Sequence, residues 1–358
     1  MKKFYCELLT ALLLAGCGSP DTGKDDTPGA EKSGDDANGQ TAAAPLRIDA
    51  SGHEAYQNSL SAIRKSLRDD RQLYEFVAAV RLLLTGSPDS RTFLHQVDGM
   101  TSDEVIKLGR EKAFDCLSAN FRRNRMPAEL RSDIMSRSGI SELPPLPRGT
   151  VPTVNATTPE LRDRTLCAMV CSADDNAIYD LTAALDVILA MSLDEADYNR
   201  MLNGHSAAEM IAWARANAFE AAYKKSEFSA PAHLLRGEVD ETPEPPDTPK
   251  IDTTDQYKQA ASMGRAIRTL DDQQLYEFMT AVELVRTASD NAEDFNAKLN
   301  GRTARGLINE QYKQNPGDFI QLFGAVRQEY PPEKLTSVRA GLVAYSVLTD
   351  EEAKTQKK

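Results

Sequence analysis

The sequence predicts an all-α fold, because apolar residues recur at helical spacing and no segment shows the alternation of a β-strand. In three segments the apolar side chains stand three or four residues apart, which places them in one stripe along a helix. These stripes are Leu73, Phe76, Val80 and Leu83, then Ile178, Leu181, Leu185 and Ile188, and finally Leu275, Phe278, Val282 and Val285. Each stripe predicts an amphipathic helix that buries one face.

The three stripes belong to one internal repeat. A pair of aspartates precedes each stripe, and a tyrosine within the stripe stands 25 residues before a glycine. The tyrosine and glycine pairs are Tyr74 and Gly99, Tyr179 and Gly204, and Tyr276 and Gly301. Equal spacing in three places predicts three copies of one helical unit. Each copy is long enough to form a small domain.

The glycine of each copy predicts a junction between two helices. Glycine ends a helix readily in the left-handed conformation, and a hydroxyl two residues later can cap the next helix. These hydroxyls belong to Thr101, Ser206 and Thr303. Glu104 and Glu209 stand at the capping-box position of the first two copies. Gly306 stands there in the third copy, so we expect a weaker cap.

The paired aspartates have two interpretations. Carboxylate pairs can carry acid and base chemistry when their pKa values differ. They can also begin a helix by accepting backbone N–H bonds. We favour the helix start, because adjacent helical residues do not face each other. Gln72 and Gln274 stand at capping-box spacing after the first aspartate of their pairs, and the pairs are Asp69-Asp70, Asp174-Asp175 and Asp271-Asp272.

The N-terminus predicts a bacterial secretion signal. Lys2 and Lys3 precede a short apolar run that ends near a cysteine, Cys17. The run is far shorter than the roughly 20 residues that span a bilayer. We therefore predict a removable signal peptide over residues 1–16.

The stretch Leu14-Ala15-Gly16-Cys17 resembles the lipobox of bacterial lipoproteins. In those proteins the cysteine receives diacylglycerol and becomes the first residue, so the resemblance implies lipidation of Cys17. Stable anchoring takes two or more acyl chains. Gly18 and Ser19 follow in place of the aspartate that favours the inner membrane in such lipoproteins. We expect a lipid anchor in the outer membrane, with the protein facing the periplasm or the cell surface.

Composition divides the rest of the chain. Residues 17–46 are rich in Gly, Asp, Ser, Thr and Ala, and we expect a disordered tether there. The helical copies are then unit 1 (47–140), unit 2 (160–236) and unit 3 (251–349), separated by Pro-rich linkers at 141–159 and 237–250, of which the second is acidic. Two further helices are predicted at 317–329 and 333–348, without a counterpart in units 1 and 2. Residues 350–358 form a predicted disordered tail.

Charge and residue types exclude several kinds of function. The net charge of −12 argues against a nucleic-acid partner, which needs clustered Lys and Arg. The histidines lie in separate segments without ligand spacing, so we predict no metal site and no cofactor. Three cysteines follow Cys17, and they leave two possibilities open: one disulfide from Cys116, or burial as small apolar side chains. They are Cys116, Cys167 and Cys171.

A resemblance to a known family adds to these expectations. The lipobox, the phrases "IDAS" and "IDTT" at 48–51 and 251–254, an amphipathic helix, and "LNG" followed by Ser or Thr resemble a family of small uncharacterised bacterial lipoproteins that carry one such unit. Unit 2 departs from the pattern with "VNAT" at 154–157. The resemblance implies a helical lipoprotein and brings no catalytic residues.

Two hypotheses about function remain open on the sequence alone. The first is a non-enzymatic envelope lipoprotein whose repeated units bind an envelope protein or the cell wall through the exposed faces that they share. The second is a periplasmic enzyme or small-ligand binder with a pocket in unit 2. Its candidate residues are Trp213, Tyr223 and His205. Catalytic motifs such as GxSxG and HExxH are absent from the sequence, which favours the first hypothesis.

Overall fold

The computed structural model describes residues 45–138 and 151–355. Sixteen helices form within these residues, and the predicted all-α fold is confirmed. Unit 1 contains α1 His53–Ser66, α2 Asp70–Gly86, α3 Ser90–Val97, α4 Ser102–Asn124 and α5 Pro127–Ser138. Unit 2 contains α6 Pro159–Ser172, α7 Ala177–Met191, α8 Glu195–Leu202, α9 Ala207–Ser229 and α10 Ala232–Arg236. Unit 3 contains α11 Gln256–Arg268, α12 Asp272–Thr287, α13 Ala292–Leu299, α14 Ala304–Gln314, α15 Pro316–Glu329 and α16 Pro332–Thr355. The prediction of a disordered tail from residue 350 is wrong for residues 350–355, which continue α16.

An extended segment precedes the first helix of each unit and pairs with the glycine junction. The N–H of Ile48 donates to the carbonyl of Met100 at 2.9 Å, and the N–H of Gly99 donates to the carbonyl of Ile48 at 2.8 Å. The same two bonds recur at Val154 and at Ile251, where the distances are 2.8 to 3.0 Å. Val154 lies within the predicted linker 141–159, so the extended segment that serves unit 2 begins inside that linker.

The glycine junctions have the predicted geometry. Gly99, Gly204 and Gly301 have φ angles of 72°, 83° and 76°, in the left-handed region. Capping boxes form between Thr101 and Glu104 and between Ser206 and Glu209, as predicted. The sequence alone specifies these junctions because each depends on residues within one short segment.

Units 1 and 2 share one hydrophobic core. A single cluster of buried side chains extends from Ile48 to Leu235 and draws on both units. The long helix of each unit also packs on the second helix of the other, α4 on α7 and α9 on α2. The two long helices are in contact with each other as well. Units 1 and 2 are therefore reciprocally packed.

Within unit 1, α4 crosses α2 at very short range. A Cβ placed on Gly109 would lie 2.5 Å from the Cβ of Ala79, closer than packed atoms allow. The small side chains of Ala78 and Ala79 in the middle of α2 allow this close approach. Glycine at position 109 is thus required by packing.

A second core lies in unit 3 and also includes Leu234 of α10 in unit 2. The fourth helix of unit 3 is interrupted, because α14 ends at Gln314 and Pro316 begins α15. α15 packs on α12 of the same unit, and α16 packs along α11. The expectation that these two helices lack counterparts is wrong: α15 corresponds to the second half of α4 and α9, and α16 to α5 and α10.

Candidate functional site

The repeated tyrosine holds the end of a long helix. The hydroxyl of Tyr74 in unit 1 donates to the carbonyl of Ala230, which follows α9 of unit 2, at 3.1 Å. The hydroxyl of Tyr179 in unit 2 donates to the carbonyl of Arg125, which follows α4 of unit 1, at 3.1 Å. In unit 3 the acceptor of Tyr276 is the carbonyl of its own Tyr330, at 2.6 Å. In units 1 and 2 the tyrosine therefore binds a carbonyl of the other unit, which we call an exchanged contact. In unit 3 it binds a carbonyl of its own unit, which we call a closed contact.

The repeated aspartates have two structural roles. The first of each pair accepts backbone N–H bonds at the helix start, so the helix-start interpretation is confirmed for Asp69, Asp174 and Asp271. The second of each pair binds an arginine from the helix that follows a long helix. These ion pairs are Asp70 with Arg236, Asp175 with Arg131, and Asp272 with Arg339. The first two ion pairs join units 1 and 2, and the third lies within unit 3, as the tyrosine bonds do.

One predicted capping box is absent. Asp271 and Gln274 form the box in unit 3. The prediction for Asp69 and Gln72 is wrong, because the amide of Gln72 donates instead to the carboxylate of Asp103 at 2.9 Å. The side chain of Gln72 is drawn across to α4, a contact that the local sequence does not reveal.

Reciprocal arginine stacking joins units 1 and 2. The guanidinium of Arg110 lies 4.6 Å from the ring centroid of Phe219, and that of Arg215 lies 4.4 Å from the ring centroid of Phe114. Each arginine also binds a carboxylate of its own unit: Arg110 binds Glu75 at 2.6 Å and Arg215 binds Asp180 at 3.3 Å. Each guanidinium therefore links both units at once.

A cleft of mixed charge lies on unit 1 between α2 and α4. It has a volume of about 420 Å³. Its lining residues, which define the unit 1 cleft, are Gln72, Glu75, Asp103, Ile106, Lys107, Arg110 and Glu111. It is open to solvent along one side, and five of its seven lining residues are of charged types.

The equivalent surface of unit 2 lacks this chemistry. Four polar residues of the unit 1 cleft correspond to alanines in unit 2. The corresponding pairs are Gln72 and Ala177, Asp103 and Ala208, Lys107 and Ala212, and Glu111 and Ala216. The unit 1 cleft is therefore particular to one copy of the repeat.

The equivalent surface of unit 3 is covered by the acidic linker. The guanidinium of Arg305 on α14 binds the carboxylate of Asp240 at 3.0 Å, and Lys313 binds Glu241 at 2.6 Å. The amide of Asn309 donates to the carbonyl of Asp240 at 2.7 Å. The linker thus lies along α14 without forming a helix of its own in this stretch.

The linker also completes the cap of α14. The hydroxyl of Thr303 donates to the carboxylate of Glu244 at 2.6 Å. Glu104 and Glu209 accept the same hydroxyl bond in units 1 and 2. Glu244 therefore takes part of the role of the glutamate that Gly306 replaces.

No known protein family, curated protein or solved structure matches this chain. The three copies of the repeat therefore supply the comparison for its surfaces.

The residues predicted to form a pocket in unit 2 do not converge. Trp213 and Tyr223 lie on one helix ten residues apart, about 15 Å along its axis. Tyr223 instead packs edge-on against Tyr74, with centroids 6.2 Å apart. His205 lies before α9, with its Nδ1 4.0 Å from the carboxylate of Glu209. Trp213 is 37% exposed, which makes it a surface residue at the edge of the core.

The three cysteines that follow Cys17 stay reduced in the described residues. Cys116 and Cys167 are buried, as one of the two possibilities predicts, and neither they nor Cys171 form a disulfide. Burial raises the pKa of the Cys116 thiol, which disfavours the thiolate. Cys17 itself, the predicted lipidation site, lies outside the described residues.

Metal-binding clusters and membrane-spanning helices are both absent from the described part of the chain. Over residues 45–138 and 151–355, His, Cys, Asp and Glu side chains nowhere gather in a group of three that suits a metal ion. In the same ranges, every helix is too short or too polar to cross a membrane.

Proposed function

We propose that this chain is a lipoprotein of the bacterial cell envelope, anchored through Cys17, whose helical units form a non-enzymatic interaction module. Units 1 and 2 form a reciprocally packed pair, and the unit 1 cleft is the docking site. Its partner is an envelope protein that presents an extended segment with basic side chains. The lipobox supports the anchor, and the geometry of the three equivalent surfaces supports the docking site.

The observation that carries the docking site is the linker on unit 3. There an extended segment lies along the fourth helix and forms ion pairs with Arg305 and Lys313. The unit 1 cleft offers the same helix face and has no covering segment among the described residues. One copy of the repeat therefore already holds an extended polypeptide on this face.

Charge determines the kind of segment. Arg305 and Lys313 correspond to Asp103 and Glu111 in unit 1, so the charges at these two positions are reversed. A segment that follows the same path across unit 1 needs basic side chains where the linker carries Asp240 and Glu241. An open cleft with charged residues along it suits an extended polypeptide better than a small apolar ligand, which is held in an enclosed apolar pocket.

The residues that the three units share support this choice of surface. The repeated tyrosine, aspartates, glycine and hydroxyl all form contacts inside the protein. Keeping them the same in every copy maintains the packing and leaves binding to positions that differ. The unit 1 cleft consists mostly of such positions.

Replacement of Cys17 tests the anchor. We expect Cys17→Ala to remove acylation and to move the protein from the membrane fraction to the soluble fraction. Cys171→Ala is the matched control, because Cys171 lies in α6 and should not change the fractionation. If the Cys17→Ala protein still sediments with membranes, the lipobox interpretation fails.

Charge reversal in the cleft tests the docking site. We expect Asp103→Lys combined with Glu111→Lys to abolish the protein crosslinks that the wild-type chain forms in intact cells. Asp290→Lys combined with Glu293→Lys places two reversals on an exposed part of unit 3 and should leave the crosslinks unchanged. The proposal is contradicted if both double variants capture the same partner equally. Cosedimentation of both with purified cell wall would identify the cell wall as the partner instead.

A further inference from the structure

Unit 3 departs from units 1 and 2 at two positions of its fourth helix. Arg110 and Arg215 correspond to Tyr312, and Phe114 and Phe219 correspond to Pro316. In units 1 and 2 these are the four residues that form the reciprocal stacks. Both partners of the stack are therefore replaced in the unit that does not exchange its helices.

Pro316 accounts for the break in the helix. Proline has no N–H, and its ring clashes with the carbonyl four residues earlier, so it costs about 3 kcal/mol inside a helix. Proline also disfavours the helical conformation for the preceding residue. Asn315 has φ −144° and ψ 73°, outside the helical region, and α14 ends there. The long helices α4 and α9 are both unbroken over 23 residues.

Tyr312 secures the segment that follows the break. Its ring lies edge-on to Phe319 of α15, with centroids 5.6 Å apart. Its hydroxyl donates to the carbonyl of Leu234 in α10. The arginines at this position in units 1 and 2 stack on a phenylalanine of the other unit instead. Tyr312 thus stabilises the turned-back position of α15.

Unit 3 forms within itself the helix and side-chain contacts that units 1 and 2 form with each other. α15 covers α12, Tyr276 binds Tyr330, and Arg339 binds Asp272. In unit 1 the second half of the straight α4 runs beside the end of α2, with Cys116 against Gly86. If α14 and α15 were one straight helix in the same way, the end of α15 could not reach the start of α12, where Tyr276 lies. Phe319 and Phe323, now buried, would then need cover from another chain.

We propose that Tyr312 and Pro316 are the specificity determinants that keep unit 3 closed, and that arginine and phenylalanine at these positions make it exchange α15 and α16 with a second copy of this chain. The exchanged pair repeats the packing of units 1 and 2, so each helix pairing that opens within one chain forms again between two chains. Exchange of identical elements in this way is domain swapping. The inference goes beyond the proposed docking function and does not depend on it.

The direct test is the full-length double variant Tyr312→Arg/Pro316→Phe, examined by light scattering over a range of concentrations after refolding from denaturant. We expect its mass to double as concentration rises, while the wild-type chain stays monomeric. Pro332→Ala is the control, since Pro332 begins α16 and lies outside the break. A double variant that stays monomeric with wild-type helical content overturns the proposal.

A milder variant decides the matter if the double variant loses its helical circular dichroism. Pro316→Ala removes only the break, and we expect its dimer fraction after refolding to exceed that of the wild-type chain. Equal dimer fractions for the two proteins overturn the proposal.

Charge reversal distinguishes exchange from side-by-side association. In the dimerising variant, Asp272→Arg is made in one copy and Arg339→Asp in another, and the two are refolded together. Exchange brings complementary charges together only in the mixed dimer, so we expect mixed dimers to exceed half of all dimers. A statistical distribution contradicts the exchange.

Discussion

At the scale of single residues, identical side chains serve different units. Tyr74 and Tyr179 each hold the end of the other unit's long helix, whereas Tyr276 holds its own. The sequence identifies the tyrosine as a repeated position next to the first residue of each apolar stripe. It cannot show which carbonyl the hydroxyl reaches, because the acceptor of Tyr74 lies 156 residues further along the chain.

The hydroxyl of Tyr74 should contribute measurably to stability. Tyr74→Phe leaves the buried carbonyl of Ala230 without this donor, and we expect a loss of about 1 to 3 kcal/mol in the free energy of unfolding. Tyr257→Phe is the control, because Tyr257 is 69% exposed. Chemical denaturation at neutral pH measures both. Equal unfolding free energies for the two variants would contradict the role of the bond.

The same tyrosine predicts a pH dependence. Burial, with the nearby carboxylates of Asp70 and Glu227, raises the pKa of Tyr74 from 10.0 to about 12. Its neutral form therefore stabilises the fold fully below pH 10, and this contribution is lost as the pH rises from 10 towards 12. We expect the unfolding free energy of Tyr74→Phe to fall less steeply over that range than that of the wild-type chain. Parallel curves would contradict the assignment.

At the scale of elements, local chemistry sets where helices begin and end. The capping boxes and the left-handed glycines follow from residues close together in sequence, which is why the sequence predicts them correctly. The local sequence does not predict the partner of Gln72, because Asp103, on another helix, accepts the hydrogen bond from its amide. The local sequence also fails to predict the full cap of α14, because Glu244, which accepts the hydroxyl bond of Thr303, belongs to the linker.

The glycine junction gives a clean test of backbone conformation. A Cβ on Gly204 would meet nothing within 4 Å, so Gly204→Ala acts through the backbone alone. We expect it to lower the free energy of unfolding by about 1 to 2 kcal/mol, the cost of the left-handed conformation for an L-residue. Gly341→Ala, on an open site within α16, should raise it by about 0.5 to 1 kcal/mol. Changes of the same sign in both variants would be inconsistent with this account.

At the scale of the whole molecule, three copies of one unit pack in two ways. Units 1 and 2 exchange the ends of their long helices and the helices that follow, whereas unit 3 makes the same contacts within itself. The order of helices is predictable because it depends on local periodicity. The sequence does not predict whether a unit contacts itself or its neighbour, because the same repeated residues form both kinds of contact. The changes to Tyr312 and Pro316 in the fourth helix are what distinguish the two in the sequence.

This arrangement also explains where function can lie. The expectation that the shared exposed faces are functional stays a prediction, and the structure gives a reason to prefer the faces that differ. The shared residues hold the units together, while the equivalent helix faces carry an open cleft in unit 1, alanines in unit 2 and the bound linker in unit 3. One scaffold thus supports three different surfaces.

The most direct test of the reciprocal packing is a cut between units 1 and 2. A protease recognition sequence is inserted within residues 141–150, the chain is cleaved, and the fragments are examined by size-exclusion chromatography with light scattering. We predict that the two fragments stay together at the mass of the intact chain and separate only in denaturant. Fragments that separate without denaturant, each with its helical content intact, would show that the units fold independently and would contradict the account.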